Sequence, residues 1–173
     1  MELQEIKHFF RPLHNGSGYG SGYGIKLFNK QKVYIIDKVP TIISTIKKDI
    51  AFGFILQNDL TIKKCVVARN DYHFSHGDTL KDAIKSLEDK TLISLPIPKR
   101  IDNFKKRFKS FKHKYKASLL YDWHFKLTGS CKTGRDNFCI NHNINLVKDK
   151  FSVYEFIELT KNQYGSEIIK QLI

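Results

Sequence analysis

From Ile25 to Ser75 short β-rich runs alternate with polar doublets, and no stretch of helical period separates them. That order restricts the fold, because strands joined by tight turns pair antiparallel, whereas parallel pairing needs a crossover of about a dozen residues or more. Ile25 to Phe28 and Val33 to Ile36 flank Asn29-Lys30-Gln31 as a hairpin. Pro40 is expected to interrupt the chain before Thr41 to Ile46, and Ile50 to Leu56 follows. Asn58-Asp59 turns the chain into Thr61 to Ala68, and Asn70-Asp71 leads into a short Tyr72 to Ser75 strand.

The period then changes. Thr79 and Asp82 resemble a capping box, and Leu80, Ala83, Ile84 and Leu87 form the expected buried face of a helix. Pro96 and Pro98 punctuate the chain and mark a boundary between two halves, with Pro98 suited to the first turn of the next helix. Ser118 to Leu127 reads as a helix stopped by Thr128-Gly129, and Thr133 to His142 as a shorter one. Ser152 and Glu155 give the clearest start signal, a capping box with Phe151 able to staple onto Phe156. That helix is expected to run to Gly165, before a last one from Ser166 to Leu172. The expected architecture is α+β: an N-terminal antiparallel β-sheet with one helix, followed by a C-terminal helical half. Residues 1–24 form an arm with a Gly/Ser/Tyr tract, 25–95 the sheet and helix, and 96–173 the helical half.

Charge is concentrated in one place. Between Lys99 and Lys116 there are nine lysines and arginines and one acid, net +8 of the chain's +13. Ile101, Phe104, Phe108, Phe111 and Tyr115 run through this segment at steps of three, four, three and four, the spacing of one apolar helical face. A helix over the whole segment would bury its rings and turn a dense positive field to solvent, which points to a polyanion or an acidic partner surface. The candidate contacts are Lys99, Arg100, Lys105, Lys106, Arg107, Lys109, Lys112, Lys114 and Lys116. With 25 Lys against five Arg, the charge suits attraction to RNA or DNA phosphates better than base readout. An abundance of Lys, Ile and Asn together also fits a compositional bias of the genome. Tyr19 and Tyr23, four residues apart in Gly16 to Gly24, are candidates for stacking on bases, although a tract with five glycines in nine residues also reads as a plain tether.

At 173 residues, 41% hydrophobic and 13% aromatic, the chain can bury a core without disulfide or metal staples. No apolar run approaches the ~20 residues of a membrane span, and the N-terminus lacks the pattern of a signal peptide. Three widely spread cysteines suit a reducing compartment. The expectation is a soluble intracellular protein with no membrane partner, and a homodimer through the ring-striped helix stays open.

Three constellations bear on chemistry. His124, Cys131, Cys139 and His142 contain the Cys-x2-His spacing of a metal half-site, but lack the second short pair usual for zinc, and buried helix-face cysteines explain them equally well. Cys131 or Cys139 with His124 also forms a nucleophile–base combination with no identifiable orienting group. Asn141-His142-Asn143 has the letters of a His-Asn-His nuclease without its hairpin context. His73, His76 and Asp78 fit either an acid–base set or the capping of the helix at Thr79. No cofactor or metal is expected, and a small metal-dependent hydrolase or nuclease is the enzymatic alternative.

Several blocks in order resemble a known family. They are the Gly-Ser-Gly-Tyr repeat of 16–24, Val33-Tyr34-Ile35-Ile36-Asp37, His76-Gly77-Asp78-Thr79-Leu80-Lys81 and, most specifically, Asp122-Trp123-His124-Phe125-Lys126-Leu127-Thr128-Gly129-Ser130-Cys131. Over residues 16–173 the chain is similar to small phage and prophage accessory proteins with Gly/Tyr-rich N-terminal tracts, some of which are anti-CRISPR proteins. The tract here is shorter than in that family. The resemblance implies a non-enzymatic counter-defence protein that inhibits a nucleic-acid-processing complex in the cytoplasm of a bacterial host. A type II CRISPR nuclease (Cas9) with its guide RNA is the specific expectation. A stand-alone nucleic-acid-binding protein of a mobile element is the alternative within the same class.

Overall fold

The computed structural model describes residues 3–11, 13, 19–20 and 26–173, and is α+β as expected. The chain divides into two units, 1–91 and 92–173, so that the boundary falls inside a helix a few residues before Pro96.

The first unit is built on one antiparallel sheet. Its strands are β1 (Tyr19–Gly20), β2 (Leu27–Phe28), β3 (Gln31–Ile36), β4 (Val39–Lys47), β5 (Ile50–Leu56), β6 (Ile62–Arg69) and β7 (Phe74–Gly77). They follow the order β1-β3-β4-β5-β6-β7, and β2 shares the outer edge of β3 with β1. The doublets Asn29-Lys30 and Asp37-Lys38 both have positive φ at each residue. This is the backbone of the tight hairpin turns whose twist matches the flanking strands. Pro40 does not interrupt the chain as expected. It lies within β4 opposite Ile35, beyond the Thr41–Ile55 pair that ends the β4–β5 ladder, so no neighbour needs its missing N–H. The last strand starts at Phe74 rather than Tyr72, because the Asn70 side chain accepts the N–H groups of Tyr72 and His73 and holds a turn there. Gly53 is required where β4 and β5 meet: a Cβ at this position would lie 2.0 Å from the Ile42 carbonyl oxygen.

A helix covers each face of this sheet. The arm contains α1 (Leu3–Phe9), which the sequence reading passed over. Phe9, Phe10 and Leu13 are buried with Ile36, Ile43, Ile46, Cys65, Val67 and Phe74. On the other face α2 (Leu80–Ser94) places Ala83 against Val66 and Ala68. Successive residues of β6 thus enter two different cores, which is why Cys65 to Ala68 reads as an unbroken apolar run. Thr79 caps α2, its hydroxyl accepting from the Asp82 N–H and donating to the Asp82 carboxylate. The expected apolar face of this helix is only half right. Ala83 is fully buried and Leu87 partly so, but Leu80 and Ile84 are exposed. A Cβ on Gly77 would lie 2.2 Å from the Ala83 nitrogen, so the helix meets β7 through its smallest residue and turns Leu80 and Ile84 outward.

The second unit contains α3 (Ile97–Arg107), β8 (Tyr115–Lys116), α4 (Ala117–Thr128), α5 (Lys132–Asn141), β9 (Lys150–Phe151), α6 (Val153–Thr160), α7 (Ser166–Ile169) and a closing 3-10 turn, Lys170–Leu172. Its core joins Ile101, Phe104 and Phe108 to Trp123, Leu127, Val153, Phe156, Ile169 and Leu172. Trp123 meets two rings edge to face, Phe104 at 5.6 Å and Phe108 at 5.9 Å, while Phe156 stacks on Phe104.

The basic helix is shorter than its ring periodicity predicts. It ends at Arg107, Phe108 leaves helical geometry (φ −110°, ψ 73°), and Tyr115–Lys116 is a strand. Continuing the helix would stack Lys105 on Lys109 and Lys112 on Lys116, like charges one turn apart. Instead the chain bends, Tyr115 Oη donates to the Ser110 carbonyl at 3.1 Å, and Phe108 is still fully buried. The rings are core; the single helix is not there. The Ser152–Glu155 capping box is formed with both reciprocal bonds, at 3.2 and 2.7 Å. That helix stops at Thr160 rather than Gly165, since a turn closed by Gln163 N–H on the Thr160 carbonyl intervenes. Gly129 ends α4 in the left-handed conformation, as its position predicts.

Candidate nucleic-acid interface

Unit 92–173 carries sixteen Lys and Arg against seven Asp and Glu, net +9 of the chain's +13. Eight of the nine basic residues between 99 and 116 are exposed. Arg100 is the exception: it is half-buried, and its guanidinium donates to the carbonyls of Leu95 (2.9 Å) and Leu127 (2.7 Å). Arg100 therefore ties the start of α3 to the end of α4, which answers backbone oxygens rather than a ligand. Lys105, Lys106 and Arg107 occupy the last turn of α3, where cations favourably meet the negative end of the helix dipole. Lys99 lies in the first turn of the same helix, and Lys109 and Lys112 lie on the bend between α3 and β8.

The bend and β8 bring Lys116 beside a cation from a distant part of the chain. β8 pairs with β9 so that Tyr115 faces Phe151 and Lys116 faces Lys150. Side chains directly opposite in an antiparallel pair are about 5 Å apart at Cβ, and like charges there are destabilising. Lys116 and Lys150 line one shallow hollow of about 480 Å³ together with His113, Lys114, Ser118 and Asp122. Lys114 also makes a 3.4 Å ion pair with Glu155 across its outer side. The Glu155 carboxyl is held below the usual carboxylate range chiefly by the hydrogen bond from the Ser152 N–H, with a smaller contribution from Lys114. Lys150 and His113 were not singled out from the sequence. The signal for Lys150 was available only through strand register, since it lies 34 residues from Lys116.

Of the two tyrosines of the tract, the backbone of Tyr19 forms β1 against Ile36, while its side chain and the whole of Tyr23 lie outside the described residues.

Of the His124, Cys131, Cys139 and His142 constellation, the first three line one cavity and His142 does not. Cys131 is the N-cap of α5, its Sγ accepting the Gly134 N–H at 3.3 Å. His142 is the C-cap of the same helix and stacks on Phe138 at 4.0 Å, so Asn141-His142-Asn143 is a helix end and not a hairpin. Burial raises the Cys139 thiol pKa, which works against a thiolate nucleophile. His124 is buried, with Nδ1 2.8 Å from Ser130 Oγ, and burial together with Arg135 pushes its pKa down to about 4. His76 meets Thr41 Oγ1 at 2.9 Å, while Asp78 pairs with Lys63 at 2.8 Å. Among the described residues no three His, Cys, Asp or Glu side chains converge as a metal set. Among the described residues no helix is long and apolar enough to cross a membrane.

Comparison with family models, with curated proteins and with solved structures finds no match to this chain.

Proposed function

We propose that the protein is a non-enzymatic binding protein whose C-terminal unit docks on the phosphate backbone of a nucleic acid within a nucleoprotein complex. The observation that carries this reading is the register of β8 on β9, which sets Lys116 against Lys150 in one hollow with Lys114 and His113. A directly opposed lysine pair lowers stability, and an anion between them reverses its sign. Lysine ammonium groups on flexible stems follow a backbone without selecting bases, so specificity has to come from the shape of the whole complex. The phage-protein resemblance narrows that complex to a type II CRISPR nuclease with its guide RNA, inhibited by occupancy.

Fluorescence anisotropy with labelled protein tests the reading on three partners: a purified type II nuclease–guide complex, the free guide RNA and a DNA duplex. The expected result is preferential binding to the complex, weakened at least about tenfold by Lys116→Glu with Lys150→Glu at about 0.1 M salt. Equal binding to all three partners would assign a stand-alone nucleic-acid-binding protein of a mobile element instead. Binding to none of them would overturn the phosphate reading.

A further inference from the structure

The second unit also contains a half-open cavity of about 540 Å³ that shares no lining residue with the lysine hollow. Its volume falls in the range of small-molecule sites. Leu120, Phe138, Ile144, Phe151, Phe156 and Leu159 make most of its wall. Tyr121, His124, Arg135, Gln163 and Tyr164 are its larger polar members.

Arg135 and His124 each leave one buried nitrogen without a partner, whereas the Tyr121 hydroxyl donates to Asp136 at 2.6 Å. The Arg135 guanidinium lies over the rings of Tyr121 (4.6 Å) and Phe125 (4.7 Å), and Nη1 donates to Ser130. Arg135 Nε is buried with no hydrogen-bond partner. His124 Nε2 is in the same condition, in a residue that is 8% exposed. Ser130 Oγ lies 2.8 Å from His124 Nδ1 and can donate or accept there, so the fold admits either neutral tautomer of His124. With Nδ1 accepting, the hydrogen sits on Nε2 and faces no protein acceptor. A buried guanidinium N–H and an imidazole nitrogen able to carry a hydrogen are thus both without a partner in residues that line the same cavity. Unpartnered buried donors are uncommon and call for an explanation.

We propose that this cavity binds a small aromatic carboxylate, its ring among the wall residues and its oxygens accepting from Arg135 and His124. The aromatic wall favours a flat ring body, and the guanidinium favours an anion over a neutral carbonyl compound. This site is independent of the phosphate reading, since neither Arg135 nor His124 lines the lysine hollow.

Isothermal titration calorimetry with 2-naphthoate and its uncharged analogue 2-naphthamide tests the proposal on the full chain. The expected result is saturable one-site binding of 2-naphthoate, about tenfold or more weaker for the amide. Ile144→Trp fills the chamber without touching its polar groups and is expected to abolish binding while leaving the melting temperature within a few degrees. His124→Phe is expected to weaken 2-naphthoate about tenfold and to leave the amide less affected. Equal affinity for acid and amide, undiminished binding by folded Ile144→Trp, or no heat from 2-naphthoate at millimolar concentration would each overturn the proposal. Should His124→Phe fail to fold, the acid–amide ratio and Ile144→Trp decide it.

Discussion

Four cations in the sheet unit, Arg11, Lys63, Lys90 and Arg69, are held by partners that the fold supplies. Arg11 bridges Asp49 and Asp71 at 3.2 and 2.9 Å, Lys63 meets Asp78, and Lys90 meets Asp37. The Arg69 side chain is wholly buried, and its Nη1 donates to the carbonyls of Phe9 (2.7 Å) and Arg11 (2.9 Å), fastening α1 to β6. In the helical unit the nine cations between 99 and 116 have one ion pair among the described residues, Lys114 with Glu155. Lysine itself is spread almost evenly, twelve in residues 1–91 and thirteen in 92–173, and it is the acids that differ, ten against seven. Arg69, Arg11, Lys63 and Lys90 help to close the first unit, whereas of the nine cations between 99 and 116 in the second unit eight are exposed, Arg100 ties two helices, and rings fill the core.

If rings hold the second unit together, Phe104→Ala is expected to cost about 4 kcal/mol in urea unfolding. Phe104 is fully buried beside Phe108, Trp123 and Phe156. A loss below about 1 kcal/mol would break that side of the comparison. For the sheet unit, Arg69→Met is expected to cost about 3 kcal/mol, because two carbonyls at the end of α1 lose their donor in a buried place. The same substitution at Lys109, exposed on the bend, is expected to stay within about 0.5 kcal/mol.

His124 gives an effect of similar size to Arg69, but one that depends on pH. Its folded pKa of about 4 lies below the unfolded value near 6.5. Between those values the unfolded chain takes up a proton that the folded one refuses, so stability falls as pH drops through this window, by about 3 kcal/mol at most. Burial lowers the His76 pKa in the first unit too, adding in the same direction. Urea midpoints from pH 7 to pH 4.5 are expected to fall less steeply in His124→Asn. An unchanged slope would remove His124 as a source of acid lability.

The smallest expected effect is the most diagnostic for the opposed lysines. Lys150→Thr removes a like charge facing Lys116 and places a good strand former in β9, so it is expected to stabilise the protein by about 0.5 kcal/mol while weakening polyanion binding. Gain of stability with loss of binding is the pattern of a residue kept for function. Loss of both would make Lys150 structural.

Legibility followed sequence distance. Hairpins were readable because Asn29-Lys30 and the Asn70 turn state their geometry within a few residues, and the Ser152 cap because both partners lie three apart. α1 escaped because seven residues display too little period to separate a helix from an arm. The basic helix was overdrawn because burial of Phe111 and Tyr115 through a bend and a strand gives the same three-four spacing as a helix. The candidate surface was half legible. Lys114 and Lys116 stood out by local density, whereas Lys150 joins them only through the β8–β9 register, and His124 with Arg135 only through tertiary burial.

The account stands most directly on how binding responds to salt. Affinity for a single-stranded RNA is to be measured across a series of salt concentrations, for the wild type, for Lys116→Glu with Lys150→Glu, and for Lys63→Glu in the sheet unit. Each phosphate contact contributes about −0.7 to the slope of log K against log salt, so the double variant is expected to bind more weakly with a slope about 1.4 shallower. Lys63→Glu, whose wild-type ammonium is already paired with Asp78, is expected to leave the slope unchanged. A double variant with wild-type slope and affinity would contradict the account.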